Sequence, residues 1–273
     1  NRRFGDAGLA DYFVKEREAG RVRNLGFSFH GGPKDLDDLL ALHDKYHWDF
    51  VQIQMNYLDW EETDNAKYYY EQITKRNIPV VIMEPLLGGG LSELPEVLAK
   101  KLKAIEPESS VASWAFRFAG SYPNVLAVLS GMTYMEHLQD NLKTYCNFKP
   151  LNEDEKALLA DIAKEIATYS LIHCTGCNYC MPCPYGIDIP GIFAFYNKTV
   201  NEGTYVKTAE QKGYARIRRK YLAGYDKAVE TRRQADHCIS CNRCIKACPQ
   251  HIRIPSELKR IDEYVEKVKR EEL

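Results

Sequence analysis

Eight of the nine cysteines in this chain fall into two short clusters, Cys174, Cys177, Cys180 and Cys183, then Cys238, Cys241, Cys244 and Cys248. Nothing in the N-terminal stretch NRRFGDAGLADYF has the basic-then-apolar layout of an export signal, and no apolar run approaches the roughly 18 residues that span a bilayer. The chain reads as cytoplasmic, where thiols stay reduced, so the clusters are expected to bind metal rather than to form disulfides. The second cluster, C-I-S-C-N-R-C-I-K-A-C-P, has the C-x2-C-x2-C-x3-C-P spacing of bacterial ferredoxins. Three cysteines at such intervals wrap one [4Fe-4S] cubane, while the fourth ligates the other cluster of a pair. Cys248 is therefore expected to complete Cys174, Cys177 and Cys180, and Cys183 to complete Cys238, Cys241 and Cys244.

The first cluster, C-T-G-C-N-Y-C-M-P-C-P, is one residue short before its last cysteine, so its loop is tighter, stiffened by Pro182 and Pro184. The stretches PYGIDIP and PQHIRIP that follow the two motifs are alike enough to predict a pseudo-twofold module. Zinc favours two C-x2-C knuckles separated by a longer loop, which these evenly spaced triplets fit poorly. A cluster that only braces a small core needs the same ligands, so structural and redox roles both stay open. Cys146, in LKTYCNF, is read as a structural core thiol.

Composition narrows the partners. A formal net charge of -1 and a pI near 6.7 give no global field for nucleic acid or an anionic membrane. With 45% hydrophobic and 27% charged residues, the chain has material for one large domain and one small one.

Residues 1–150 alternate short apolar runs with amphipathic stretches. The runs at 22–29, 49–55, 78–85 and 125–131 read as strands covered on both faces. Helical patterns at Leu9 to Ala19, Asp35 to Tyr46, Thr63 to Arg76, Leu94 to Ile105 and Ser109 to Phe118 separate them, which predicts parallel βαβ units. No strand precedes the first helix, so one is expected upstream of Asn1. Residues 151–273 form the second domain. It opens with a helix over 151–170 capped by Asn152 and Glu155, and it is mainly helical apart from the cysteine motifs, with a last helix from Pro255 to about Arg270.

The runs GRVRNLGFSFHG, WDFVQIQMNYLD, IPVVIMEPLLGGGL and VLAVLSGMTYMEHLQDN resemble the last four strands of the aldo-keto reductase barrel. The first cysteine motif is similar to the ferredoxin-like extension of one branch of that family. The resemblance implies an α/β fold, the C-terminal half of a (β/α)8 TIM barrel with four parallel strands, followed by a mainly α-helical dicluster ferredoxin-like domain. It also implies an active site at the carboxyl ends of the strands. By the same resemblance Ser28 and Gln54 match contacts to the nicotinamide carboxamide, Asn141 matches an adenine contact, and Met83 stands where many members stack a ring on the nicotinamide. Gly131 lies in the loop after the last strand, GMTYMEHLQDN, which carries no Lys or Arg for a 2'-phosphate, so NADP and NAD both remain open. The family's catalytic Asp, Tyr, Lys and His lie on the first four strands and match nothing here.

Bland readings stand beside these. Ser28 on an apolar strand reads equally as a hydroxyl satisfied by backbone, whereas an amide within VQIQM is costly to bury unpaired and favours a partner for Gln54. His30 reads as a solvated loop histidine. The basic run Arg216, Arg218, Arg219 and Lys220 is a solvated helix face or a dock for an acidic electron-transfer protein. The expected function is an iron-sulfur oxidoreductase with NAD(P)-linked chemistry on a small carbonyl or alcohol substrate; the competing expectation is a non-catalytic electron-transfer or scaffold module. Hydride moves two electrons and a cluster moves one, so a direct path between them needs an intermediary.

Overall fold

The computed structural model describes residues 8–62, 65–169 and 171–273. It divides into two compact units, one of residues 1–86 and 112–164 and one of residues 87–111 and 165–273. The boundary expected from sequence at residue 150 falls just before a helix of the first unit.

The first unit holds four parallel strands, β1 (Gly26–Ser28), β2 (Phe50–Gln54), β3 (Val80–Met83) and β4 (Val125–Val128), hydrogen-bonded in that order. Gly26 pairs with Phe50, Val51 with Val80 and Val80 with Val125. Six helices belong with the sheet: α1 (Leu9–Glu18), α2 (Pro33–Leu40), α3 (His43–Tyr46), α4 (Tyr57–Glu62), α5 (Asn65–Thr74) and, after α6 (Glu96–Ile105) of the second unit, α7 (Val111–Gly120). Parallel neighbours require such crossovers, and Val51, Ile53, Val80 and Ile82 are fully buried beneath them.

Three expectations change. The long pattern from Asp35 to Tyr46 breaks at residues 41–42 into α2 and α3, and that from Thr63 to Arg76 contains a helix over Asn65–Thr74 that stops short of Arg76; its first two residues lie outside the described residues. The outer strands are not covered on both faces, since Ser28 is exposed and Leu126 is 65% exposed. An outer strand has one neighbour instead of two, and fewer side chains reach over it. Finally, Cys146 ends α8 (Met135–Cys146), a helix without a buried residue, and is exposed rather than a core thiol. The apolar side of that helix, with Met135, Leu138 and Leu142, also faces outward.

The helix expected after residue 151 is α9 (Glu153–Thr168). Its cap is reciprocal: the Glu155 amide donates to Asn152 Oδ1 and the Asn152 amide to Glu155 Oε2, both at 2.9 Å.

The second unit is built on α10 (Ile189–Asn201), α11 (Tyr214–Ala228) and α12 (Ile254–Arg270). Ile254, Leu258, Ile261, Val265 and Val268 recur every three or four residues along α12, which gives one apolar stripe. That stripe packs into a core with Ile192, Phe193, Tyr196, Tyr221 and Tyr225. Cys174, Cys180, Cys183, Cys238, Cys244 and Cys248 sit against this core, whereas Cys177 and Cys241, the second cysteine of each motif, are exposed.

Candidate iron-sulfur and nicotinamide sites

The two cysteine loops share left-handed residues at equivalent places despite their different lengths. Gly176 and Asn178 flank Cys177 with φ of 66° and 63°, and Ser240 and Asn242 flank Cys241 with φ of 57° and 61°. Left-handed residues so placed suit the kind of turn whose backbone amides can face a common centre, a concavity fitted to anions such as iron-sulfur centres. Glycine reaches this region at no cost, and asparagine more readily than other residues. The likeness continues beyond the last cysteine. Gly186 and His251, each three residues further on, have φ of 76° and 53° and donate their amides to the Cys183 and Cys248 carbonyls. An Ile-Pro pair then starts α10 and α12, so PYGIDIP and PQHIRIP are alike in local backbone as well as in sequence. The loops differ between the third and fourth cysteines. The shorter one has a cis Met181–Pro182 bond, and the longer one has a 3-10 turn over Ile245–Ala247.

Hydrogen bonds fix both loops to the helical core. The Asn197 side chain brackets Ile172, accepting from its amide at 2.9 Å and donating to its carbonyl at 2.6 Å, and so anchors the approach to Cys174. The Asp188 amide donates to the Arg233 carbonyl, and Arg233 Nε donates to the Gly186 carbonyl at 3.2 Å, tying the end of the first motif to the lead-in of the second.

One cavity of the second unit is lined by Cys174, Cys177, Cys180 and Cys248, closed by Ile189, Phe193, Ile252 and Ile254. Another is lined by Cys183, Cys241 and Cys244, with Cys180, Tyr179 and Arg243 at its wall. Burial, then the neighbouring thiol of Cys174, pushes the Cys180 thiol up to about 11, with Cys177 and Cys244 adding to the shift. Burial also raises the Cys244 thiol, and the neighbours that raise it further are Cys238, Cys241 and Cys183. A metal bound to these two thiols would favour their thiolate forms. Among the described residues no three His, Cys, Asp or Glu side chains stand together as ligands of a single ion would. Two runs of three evenly spaced cysteines, each followed by a fourth before proline, suit [4Fe-4S] ligation better than the separated C-x2-C knuckles that zinc favours.

In the first unit the nicotinamide candidates follow the carboxyl ends of the strands. Ser28 ends β1 and is exposed; it lines a cavity of about 390 Å³ with Leu9, Phe13, Phe27, Leu42 and Trp48. Gln54 ends β2 beside Met83, its register partner on β3. The partner that its amide demanded is Asp59, which accepts from Nε2 at 2.7 Å. Met83 is nearly buried, and its sulfur accepts from Gln52 Nε2 at 3.3 Å. Gly131 lies exposed beyond β4, and Asn141 on α8 donates to Ser130 Oγ at 2.9 Å. His30 is exposed.

Sequence reasoning passed over Asn56, which is fully buried. Its Oδ1 accepts from the Leu58 and Asp59 amides and caps α4, while its Nδ2 donates to Asp59 at 2.7 Å and to the Glu84 carbonyl at 3.2 Å. It thereby joins the ends of β2 and β3; asparagine ahead of a helix was the available signal. The basic run on α11 is engaged at Arg218, while Arg216, Arg219 and Lys220 are exposed. Arg218 donates to the Val268 and Lys269 carbonyls and pairs with Glu271, which leaves little of that side chain for a partner.

Comparison with known proteins agrees with both halves. The aldo/keto reductase family model matches residues 8–164, and a 4Fe-4S dicluster domain model matches residues 173–253. Among solved structures, an aldo-keto reductase from Bacillus halodurans in its apo form is similar at 16% identity and a TM-score of 0.45, covering 56% of this chain and 55% of that one. The chain thus spans about half the length of that solved relative. No curated protein matches the chain. The chain joins an aldo/keto reductase-type α/β sheet to a 4Fe-4S dicluster domain. The chain belongs to the aldo/keto reductase family. Among the described residues no helix is long and apolar enough to cross a membrane.

Proposed function

We propose that this chain combines NAD(P)-linked redox chemistry on a small carbonyl or alcohol substrate with two [4Fe-4S] clusters for electron transfer, the two acting on separate steps. The first cluster is held by Cys174, Cys177, Cys180 and Cys248, the second by Cys238, Cys241, Cys244 and Cys183. The observation that carries this reading is the cavity shared by Cys248 with the first three cysteines of the other motif, since exchange of the fourth ligand is the mark of a two-cluster module. When bound, the clusters supply one-electron transfer. The chain's own part is to hold the thiolates, surround them with the backbone amides of their loops and keep water from the inner faces with Ile189, Phe193 and Ile252.

On the reductase side, Gln54, Met83, Ser28, Gly131 and Asn141 are proposed to contact the dinucleotide. Asp59 orients the Gln54 carboxamide, and the Met83 thioether offers a polarisable surface to a flat ring. An electron-transfer protein is the proposed partner of the clusters.

Two measurements test the two halves. Anaerobic purification with iron and acid-labile sulfide analysis is expected to give about eight irons per chain, with EPR signals of two interacting clusters after dithionite reduction. Zinc without sulfide would overturn the cluster half. Calorimetric titration with NADPH and NADH is expected to show binding that Gln54→Ala weakens. Protein that carries both clusters and binds neither dinucleotide would instead be a carrier or scaffold.

A further inference from the structure

Thr175 stands between the first two cysteines of the first motif and lines the cavity shared by Cys174, Cys177, Cys180 and Cys248. Its hydroxyl is buried and has no hydrogen-bond partner among the described residues. Burying a hydroxyl unpaired is unfavourable, so such an atom points to an acceptor that the polypeptide does not itself supply. The second motif has no counterpart: Ile239 occupies the equivalent place and is 61% exposed, and Ser240 beside it is exposed as well.

The position of Thr175 is enforced from outside its loop. Gly88, at φ +64°, lies against it so closely that a Cβ there would stand 2.3 Å from Thr175 Cα and 2.6 Å from its carbonyl oxygen. Only glycine permits this approach. The next residue, Gly89, has φ +94° but open space, with Ser92 Oγ nearest at 3.9 Å. Gly88 is therefore a positioning residue for Thr175, and Gly89 is its natural control.

We propose that the Thr175 hydroxyl donates a hydrogen bond to a sulfur of the first cluster and raises that cluster's reduction potential. The proposal rests on the dicluster reading given above. One-electron reduction adds one negative charge to a cluster, much of it carried by sulfur. A donor aimed at sulfur stabilises the reduced form more than the oxidised one. The second cluster, with Ile239 in place of a donor, has no such contribution.

The test uses the full cluster-loaded chain, with iron and sulfide measured first and then an EPR-monitored potentiometric titration. Thr175→Val keeps the shape and removes the donor. It is expected to retain roughly eight irons and to shift one cluster to lower potential by about a tenfold change in its reduced-to-oxidised ratio, 59 mV for one electron, leaving the other cluster unmoved. Thr175→Ser is expected to titrate like the parent protein. Gly88→Ala should reproduce the shift by displacing Thr175, while Gly89→Ala, with comparable backbone strain and no clash, should not. Should the valine variant lose iron, pulsed ENDOR of the reduced parent protein in H2O and D2O decides the matter through an exchangeable proton coupled to one cluster. Intact clusters with unmoved potentials in Thr175→Val, or no such proton, would overturn the proposal alone. Parent protein without labile sulfide would overturn the dicluster reading as well.

Discussion

Two tyrosines of the second unit show how one hydroxyl can matter and another not. Tyr264 accepts from the Val206 amide at 2.9 Å and donates to the Val206 carbonyl at 3.0 Å, so its hydroxyl closes a loop onto α12. Tyr221 is equally central to the core, yet its hydroxyl has no partner among the described residues. Removing one partner of a buried hydrogen bond costs about 1–3 kcal/mol, whereas removing an orphaned group costs little. Tyr264→Phe is therefore expected to lower stability by about that amount in anaerobic urea unfolding, and Tyr221→Phe to leave it within about 0.5 kcal/mol or raise it; equal losses in both would refute the argument. In the first unit, Arg117 donates to Glu155 at 2.7 Å with both side chains about a tenth exposed, and the same carboxylate caps α9. Glu155→Ala leaves a buried guanidinium without this counter-charge and is expected to cost about 3–5 kcal/mol. The cap could be read from Asn152 and Glu155 at their spacing, but the ion pair could not, because Arg117 lies 38 positions away. Gln54 was legible as an amide needing a partner; that the partner is Asp59 became visible only once α4 had formed.

At the scale of elements, the close approach of β1 to β2 depends on one residue. A Cβ on Gly26 would lie 2.5 Å from the Phe50 carbonyl oxygen and 2.7 Å from its ring. Gly26→Ala is expected to splay the outer strand and to destabilise the first unit by about 1–3 kcal/mol. Adding Phe50→Leu should relieve only part of that loss, because the carbonyl remains; full rescue would show that the ring alone set the limit. The four strands and their parallel order were legible because β-branched runs alternated with helical periods. Helix ends were less so, since the break at residues 41–42 has no glycine or proline to announce it. Cys146 was misplaced for a related reason: an amphipathic period in α8 shows that one face is apolar, but not that anything covers it. The cysteine loops were the most legible part, because ligand spacing is fixed by the cubane rather than by distant packing. The proposed crossing of the fourth cysteines was drawn from that spacing, while the roles proposed for Gly88 and Thr175 depend on a contact 87 positions apart in the chain.

At the scale of the whole molecule, residues 87–111 belong by compactness with 165–273, although they lie between β3 and β4 in sequence. Contacts that hold them there include Gly88 against Thr175, Lys101 paired with Glu165, and the Glu93 carbonyl accepting from Asn201 Nδ2 at 2.9 Å. If the second unit folds around two clusters, cluster binding free energy is part of its folding free energy. Removing iron should then loosen that unit as a cooperative group, the way local unfolding follows contact density rather than sequence order. Amide hydrogen exchange before and after anaerobic chelation is expected to show lost protection over 165–273 and also in α6, while β1 to β3 and α9 up to residue 164 keep theirs. Protection unchanged in α6 would detach that helix from the cluster unit, and equal loss across both units would mean that the reductase sheet does not stand without the clusters.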